Sequence, residues 1–196
     1  MTYRVLVLVS GSGTLLQSLI DARDDGGLEA ELVAVGADVD CAGIERAEAA
    51  GIATFVHPMP KLLRRGTVER LAWDAELADQ IAAFTPDLIV SAGFMKLLDV
   101  PCMERFGDRI INTHPALLPH FPGAHAVRDA LAAGATITGA SIFWVNDGVD
   151  TGELITQEPV DVLPGDDEAT LHERIKMVER RLLVDVVNGL ATAHGR

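Results

Sequence analysis

Asn112 and His114 stand two positions apart where a strand predicted over residues 109–113 runs out into His114-Pro115, and on extended chain that spacing turns both side chains to one side. A carboxamide donates hydrogen bonds without titrating, while imidazole donates to oxygen or carries a proton near neutral pH. Together they suit a developing oxyanion, as acyl transfer requires. The turn Asn146-Asp147-Gly148-Val149-Asp150-Thr151-Gly152 supplies Asp147 and Asp150. A carboxylate within about 4–6 Å would favour the imidazolium, which donates better and can pass a proton to a leaving amine. Plainer roles fit the same residues: Asn112 as a loop cap, His114 as filler beside Pro115, and the acids as ordinary turn formers.

A second constellation is Ser10-Gly11-Ser12-Gly13-Thr14, a glycine-rich turn between an apolar strand and a helix start. Backbone N–H groups and the helix dipole make such a place receptive to an anion, with phosphate the obvious guest. The loop lacks the Gly-Lys-Ser/Thr ending of a P-loop, and Leu16 stands where the dinucleotide fingerprint wants Gly or Ala. A phosphate monoester fits better than a pyrophosphate, although a plain turn needs no more than these residues.

No protein nucleophile announces itself. There is no Gly-x-Ser-x-Gly elbow, and neither Cys41 nor Cys102 lies in a cleft loop beside a histidine. The six histidines form no HExxH-like pattern, so no metal is expected. The residues fit direct transfer of an acyl group to a nucleophile that the substrate brings.

The elements that must hold these loops read as α/β. Strands are predicted over 4–9, 31–36, 52–56, 87–91, 109–113, 137–145 and 153–160, and helices over 42–50, 67–84, 126–133 and 167–190, with a further helix beginning after Thr14. Residues 92–107 and 114–125 read as loops. The helix over 67–84 should bury Leu71, Ala75, Leu77, Ala78, Ile81 and Ala82, and the last helix Leu171, Ile175, Val178, Leu182 and Val186. The expected fold is an open, mostly parallel twisted sheet with helices on both faces and a strand reversal near residue 145. In such sheets ligands sit beyond the carboxyl ends of the strands, so the loops after Val9, Ser91, Thr113 and Val145 should converge on one cleft.

Composition narrows the partners. With 196 residues, 48% of them hydrophobic, the chain fits a single domain, 1–196, able to bury a sizeable core. Sixteen basic against 29 acidic residues give a net charge of -13, which opposes nucleic acid and anionic membrane surfaces as partners. The charge is uneven: residues 109–128 carry two arginines, three histidines and no acid, whereas 147–173 carry nine acids and no Lys or Arg. Two cysteines and no apolar stretch of about 18 residues make a reducing cytoplasm the expected compartment.

Several runs resemble a known family. Val7 to Gln17, Ala92-Gly93-Phe94-Met95-Lys96, Ile111 to Pro119, Phe121-Pro122-Gly123 and Asp150-Thr151-Gly152 are similar to the phosphoribosylglycinamide formyltransferases, folate-dependent enzymes of purine biosynthesis, over about residues 4–185. The resemblance implies a formyltransferase fold with a Rossmann-like N-terminal half. It also implies formyl transfer from 10-formyltetrahydrofolate to the amine of glycinamide ribonucleotide. It assigns Asn112, His114 and Asp150 to catalysis, and Gly11, Ser12, Gly13 and Thr14 to the substrate phosphate. Glu179 goes to the glycinamide portion, and Arg70, Met95, Lys96, Leu97, Leu98, Val145, Asn146 and Asp147 to the folate. A cis peptide before Pro119 is implied as well. The partners so implied are small molecules, with a homodimer left open.

This chain departs from the family pattern at Leu15, where Asn is common beside the phosphate, and at Lys96, His120 and Phe143, where Arg, Lys and His are common. Lys96 cannot make the bidentate fork of an arginine. Glu179, Arg70 and the apolar loop residues also have bland readings, as solvated charges and ordinary core. Two other functions stay in view: a formyltetrahydrofolate hydrolase or another formyltransferase of this kind, opposed by length and charge, and a non-catalytic nucleotide-binding module using the first loop alone.

Overall fold

The computed structural model describes residues 2–195, in which strands and helices alternate. The first half comprises β1 (Tyr3–Val9), α1 (Thr14–Asp24), β2 (Ala30–Ala37), α2 (Ala42–Ala49), β3 (Thr54–Val56), α3 (Val68–Ala83) and β4 (Leu88–Ser91). The second comprises α4 (Val100–Phe106), β5 (Ile110–His114), α5 (Ala126–Ala132), β6 (Ile137–Trp144), β7 (Leu154–Asp161) and α6 (Glu168–His194). The strands form one seven-stranded sheet in the order β3-β2-β1-β4-β5-β6-β7. β1 to β5 are parallel, β6 runs antiparallel to β5, and β7 antiparallel to β6.

The run of apolar residues in β1 follows from burial on both faces. Val5, Val7 and Val9 pack with Leu16, Leu19, Leu171 and Ile175 on one side, while Leu6 and Leu8 pack with Trp73, Leu77 and Ile81 on the other. The chain winds from β1 outward to β3, then crosses to β4 on the opposite side of β1. At that switch the carboxyl ends of neighbouring strands diverge and leave a crevice.

Four expectations need correction. Residues 92–107 contain α4, capped by Asp99, whose carboxylate accepts from the Val100 amide at 2.9 Å. α3 is turned from the expected face: Arg70, Trp73 and Asp74 are buried with Leu77, Ala78 and Ile81, while Ala75 is exposed. Arg70 and Asp74 can lie inside because they neutralise each other as an i, i+4 ion pair. The stripe of α6 is likewise shifted, burying Glu179, Leu183, Val187 and Ala191 with Leu171, Ile175 and Leu182, and leaving Val178 and Val186 half-buried. Finally, a reversal precedes β6 as well as following it. Trp144 therefore pairs with Ile111, near the amino end of β5, and the 146–152 turn does not leave from the same sheet edge as the loops after β1, β4 and β5.

Candidate active site

The glycine-rich loop sits at the carboxyl end of β1. Gly13 occupies the N-cap of α1 at φ 66°, a left-handed conformation that L side chains resist. A Cβ there would also stand 2.6 Å from the Gly43 Cα. α2 closes on the loop from outside: the Gly43 amide donates to the Gly11 carbonyl at 3.0 Å, and Arg46 Nε donates to the Ser12 carbonyl at 2.8 Å. The first-turn amides of α1 have no intrahelical acceptor, and residues 10–15 all line the cleft.

That cleft, of about 570 Å³, brings the separate loops together. Ile110, Asn112 and His114, alternate residues of β5, line it, and Thr113 from the other face lines it near the strand's end, so the cleft extends along one face of that strand as well as over its end. The 146–152 turn reaches it by folding back over this face. Asp150, held at φ 51°, brings Oδ2 to 3.4 Å from His114 Nδ1 and accepts from the Gly123 amide at 2.7 Å. On the other edge of the ring, His114 Nε2 lies 2.7 Å from the Phe121 carbonyl. A carbonyl only accepts, so Nε2 carries a proton and Nδ1 alone remains for chemistry between Asp150 and the cleft. Asn112 is half-buried, and its carboxamide has no hydrogen-bond partner among the described residues. The expected trio is thus assembled in one place.

α6 provides the opposite wall. His172, Lys176 and Glu179 line the cleft at helical spacing. Burial pushes the Glu179 acid up to about 7, against the opposing effects of the Thr113 hydroxyl that donates to it and the charges of Lys176 and Arg180. Burial, followed by the Lys176 charge, holds His172 below the ordinary imidazole range. Lys176 pairs with Glu173 at 2.7 Å.

Residues 3–187 match the formyl transferase family. The chain belongs to that family. It is 50% identical over 98% of its length, and 86% of the relative's, to a phosphoribosylglycinamide formyltransferase of Mycobacterium tuberculosis. Among solved structures it superposes on glycinamide ribonucleotide transformylase 1 of Symbiobacterium toebii with a TM-score of 0.90, at 38% identity over 98% of this chain and 89% of that one. The corresponding protein of Geobacillus kaustophilus gives 0.89, at 34% identity over 97% and 100%.

Within this formyl transferase the remaining expected residues divide. Met95, Lys96, Leu97, Leu98, Val145, Asn146 and Asp147 line the cleft, with Phe94, Ile110 and Phe143 beside them. Arg70 does not. The residue is 4% exposed and its guanidinium is bound to Asp74 and to the Leu97 carbonyl, so it acts beneath the loop. Lys96 lines the cleft, yet its ammonium is paired with the buried Asp38 at 3.2 Å. Asp38 also accepts from the Ser10 hydroxyl, which in turn accepts from the Met95 amide at 2.8 Å. Arg65, Lys176, His172 and the Phe121 carbonyl were not anticipated. Lys176 and His172 are legible as members of the Glu179 face of one helix, Phe121 stands in a run that carries the resemblance although its carbonyl's part is not marked by it, and nothing local marks Arg65. The Leu118–Pro119 peptide is cis. Among the described residues no group of three or more His, Cys, Asp or Glu side chains is disposed to hold a metal.

Proposed function

We propose that this formyl transferase moves the formyl group of 10-formyltetrahydrofolate to the primary amine of glycinamide ribonucleotide, a step of purine biosynthesis. The observation that carries the reading is that Asn112, His114 and Asp150 line one cleft together with the glycine-rich loop and an apolar pocket, His114 and Asp150 facing each other at 3.4 Å. The amine nitrogen would attack the formyl carbon, forming the new C–N bond and converting the C=O to an oxyanion. The Asn112 amide and an Nδ1–H of His114, held by Asp150, would donate to that oxygen. Collapse re-forms the carbonyl and breaks the bond to the folate nitrogen, which leaves with a proton. His114 and Asp150 supply a route for the proton the amine gives up. The products are formylglycinamide ribonucleotide and tetrahydrofolate, with no enzyme-bound acyl intermediate.

The loop 10–14 with Lys176 suits the substrate phosphate, through amides, helix dipole and one ammonium. Glu179 suits the glycinamide amine. The pocket formed by residues 94–98, Ile110, Phe143 and 145–149 suits a flat heteroaromatic ring, with apolar walls and backbone polar groups. The test is to supply the purified protein with 10-formyltetrahydrofolate, with and without glycinamide ribonucleotide, and follow tetrahydrofolate. Release that requires the ribonucleotide is expected. Release that ignores it would instead identify a hydrolase, and no release would leave only a binding role.

A further inference from the structure

Arg65 belongs to the 57–67 connection between β3 and α3, yet it lines the cleft. Its guanidinium makes contacts in three directions. Nη2 donates to the Leu98 carbonyl at 3.2 Å, Nη1 donates to the Asp147 carbonyl at 3.1 Å, and Nε faces Asp99 at 3.7 Å. Leu98 ends the loop that follows β4, and Asp147 lies in the turn that follows β6. These segments are far apart in sequence, and each forms a wall of the apolar pocket. One planar fork therefore sets the spacing between them, as a lysine's single ammonium cannot.

The anchor of this fork is firm. Asp99 is 4% exposed and also accepts from the Gly66 amide at 2.9 Å, next to Arg65 in the chain. The Asp99 amide donates to Asp74 at 2.8 Å, and Asp74 holds Arg70. The turn beyond is rigid in its own right, because the Asn146 carboxamide oxygen accepts from the Gly148 amide and the Thr151 hydroxyl. Arg65 is a side-chain tie from the Asp147 carbonyl of this internally braced turn to the loop after β4.

We propose that Arg65 is a positioning residue that fixes the width of the formyl-donor pocket by tying its two walls together. The proposal rests on the assignment of this pocket to the folate in the proposed function. Its rival is electrostatic: an exposed guanidinium at a cleft edge could simply attract the carboxylates of the donor's glutamate tail. The two differ in what they need from the donor. A wall tie acts on the ring and is indifferent to the tail.

The experiment measures equilibrium binding of 10-formyltetrahydrofolate, and of its analogue lacking the glutamate tail, to the wild-type protein, Arg65→Ala and Arg65→Lys. The tie predicts that Arg65→Ala weakens both donors by about tenfold, the scale of losing charge-assisted hydrogen bonds. Arg65→Lys should resemble Arg65→Ala, and the KM for glycinamide ribonucleotide should stay within about twofold, since its side of the cleft is not touched. Unfolding by urea reports whether Arg65→Ala leaves the fold intact. Arg65→Lys, which keeps the charge and the stem, provides the reading if it does not. A penalty confined to the tailed donor, or rescue by Lys, would overturn the tie in favour of tail capture. Unchanged affinity for both donors would overturn it outright. Failure of the wild-type protein to bind either donor would instead remove the proposed function, and the tie with it.

Discussion

His114 and Asp150 face each other at 3.4 Å across a ring whose far nitrogen is already committed to the Phe121 carbonyl at 2.7 Å. That commitment fixes the imidazole's orientation and leaves Nδ1 as the one edge facing the carboxylate. The same carboxylate oxygen that faces His114 accepts from the Gly123 amide, so Asp150 is held by the loop that also supplies the Phe121 carbonyl. The end of β5, the loop directly after it and the remote 146–152 turn thus define one proton's position.

The first prediction follows from that geometry. Asp150→Asn keeps an oxygen for the Gly123 amide but removes the charge opposite Nδ1. We expect kcat to fall about a hundredfold or more, with KM for both substrates changed little, the pattern of an interaction made chiefly in the transition state. Steady-state kinetics with both substrates checks this. A loss confined to KM would mean that Asp150 serves binding and not proton handling.

Asn112 gives an independent case. Its carboxamide has no partner among the described residues, so its removal strands no hydrogen-bonding group and should cost little stability. Asn112→Ala is expected to lower kcat by roughly 10² to 10³, the effect of losing one oxyanion donor. Asn112→Asp should be no better, since a carboxylate repels the developing charge. Activity of the Asp variant above that of the Ala variant would contradict the oxyanion role.

The alternation of strands and helices, the placing of Asn112 and His114 on one side of β5 and the glycine turn before α1 are legible because each rests on local signals: apolar runs, alternate positions on a strand, a glycine turn before a helix. What was missed was decided by pairing at a distance. Amphipathic reasoning places charges outside, so it turned α3 away from Arg70 and Asp74 and set α6 one residue out of phase at Glu179. A buried ion pair cannot be seen until its partner is placed beside it. α4 was overlooked because seven residues are too few for periodicity, although Asp99 and Pro101 are a start signal. Asp150 was expected at the cleft on the ground that strand ends converge. It arrives there by a fold-back over β5 that the antiparallel β6 requires.

Gly13 tests the phosphate loop. Its φ of 66° and the approach of Gly43 leave no room for a methyl group. Gly13→Ala should push the loop away from α2, raising KM for the phosphorylated substrate about tenfold or more while sparing KM for the folate, and costing about 1–3 kcal/mol of stability. Parallel kinetics against each substrate and a urea titration measure these effects. An unchanged KM for the phosphorylated substrate would place the phosphate elsewhere.

Glu179 predicts a pH dependence whose sign differs from that of an ordinary salt-bridged carboxylate. Its acid is raised from 4.5 to about 7 because burial penalises the charged form. The folded state then binds a proton more tightly than the unfolded chain, so this stabilising effect is complete below pH 4.5 and is lost as pH rises through about 7. Fully ionising it costs roughly 3 kcal/mol of folding free energy. Glu179→Gln keeps an oxygen for the Thr113 hydroxyl and cannot ionise. Relative to wild type, its stability should therefore improve by about 2.5 kcal/mol between pH 5 and pH 8.5, read from urea titrations at both values. Binding of an amine beside Glu179 should reverse the penalty by favouring the carboxylate, so substrate binding near pH 7 should release a proton. Calorimetry in buffers of different ionisation enthalpy would detect it. Parallel stability profiles for the two proteins, together with no proton release, would show that Glu179 is ionised throughout.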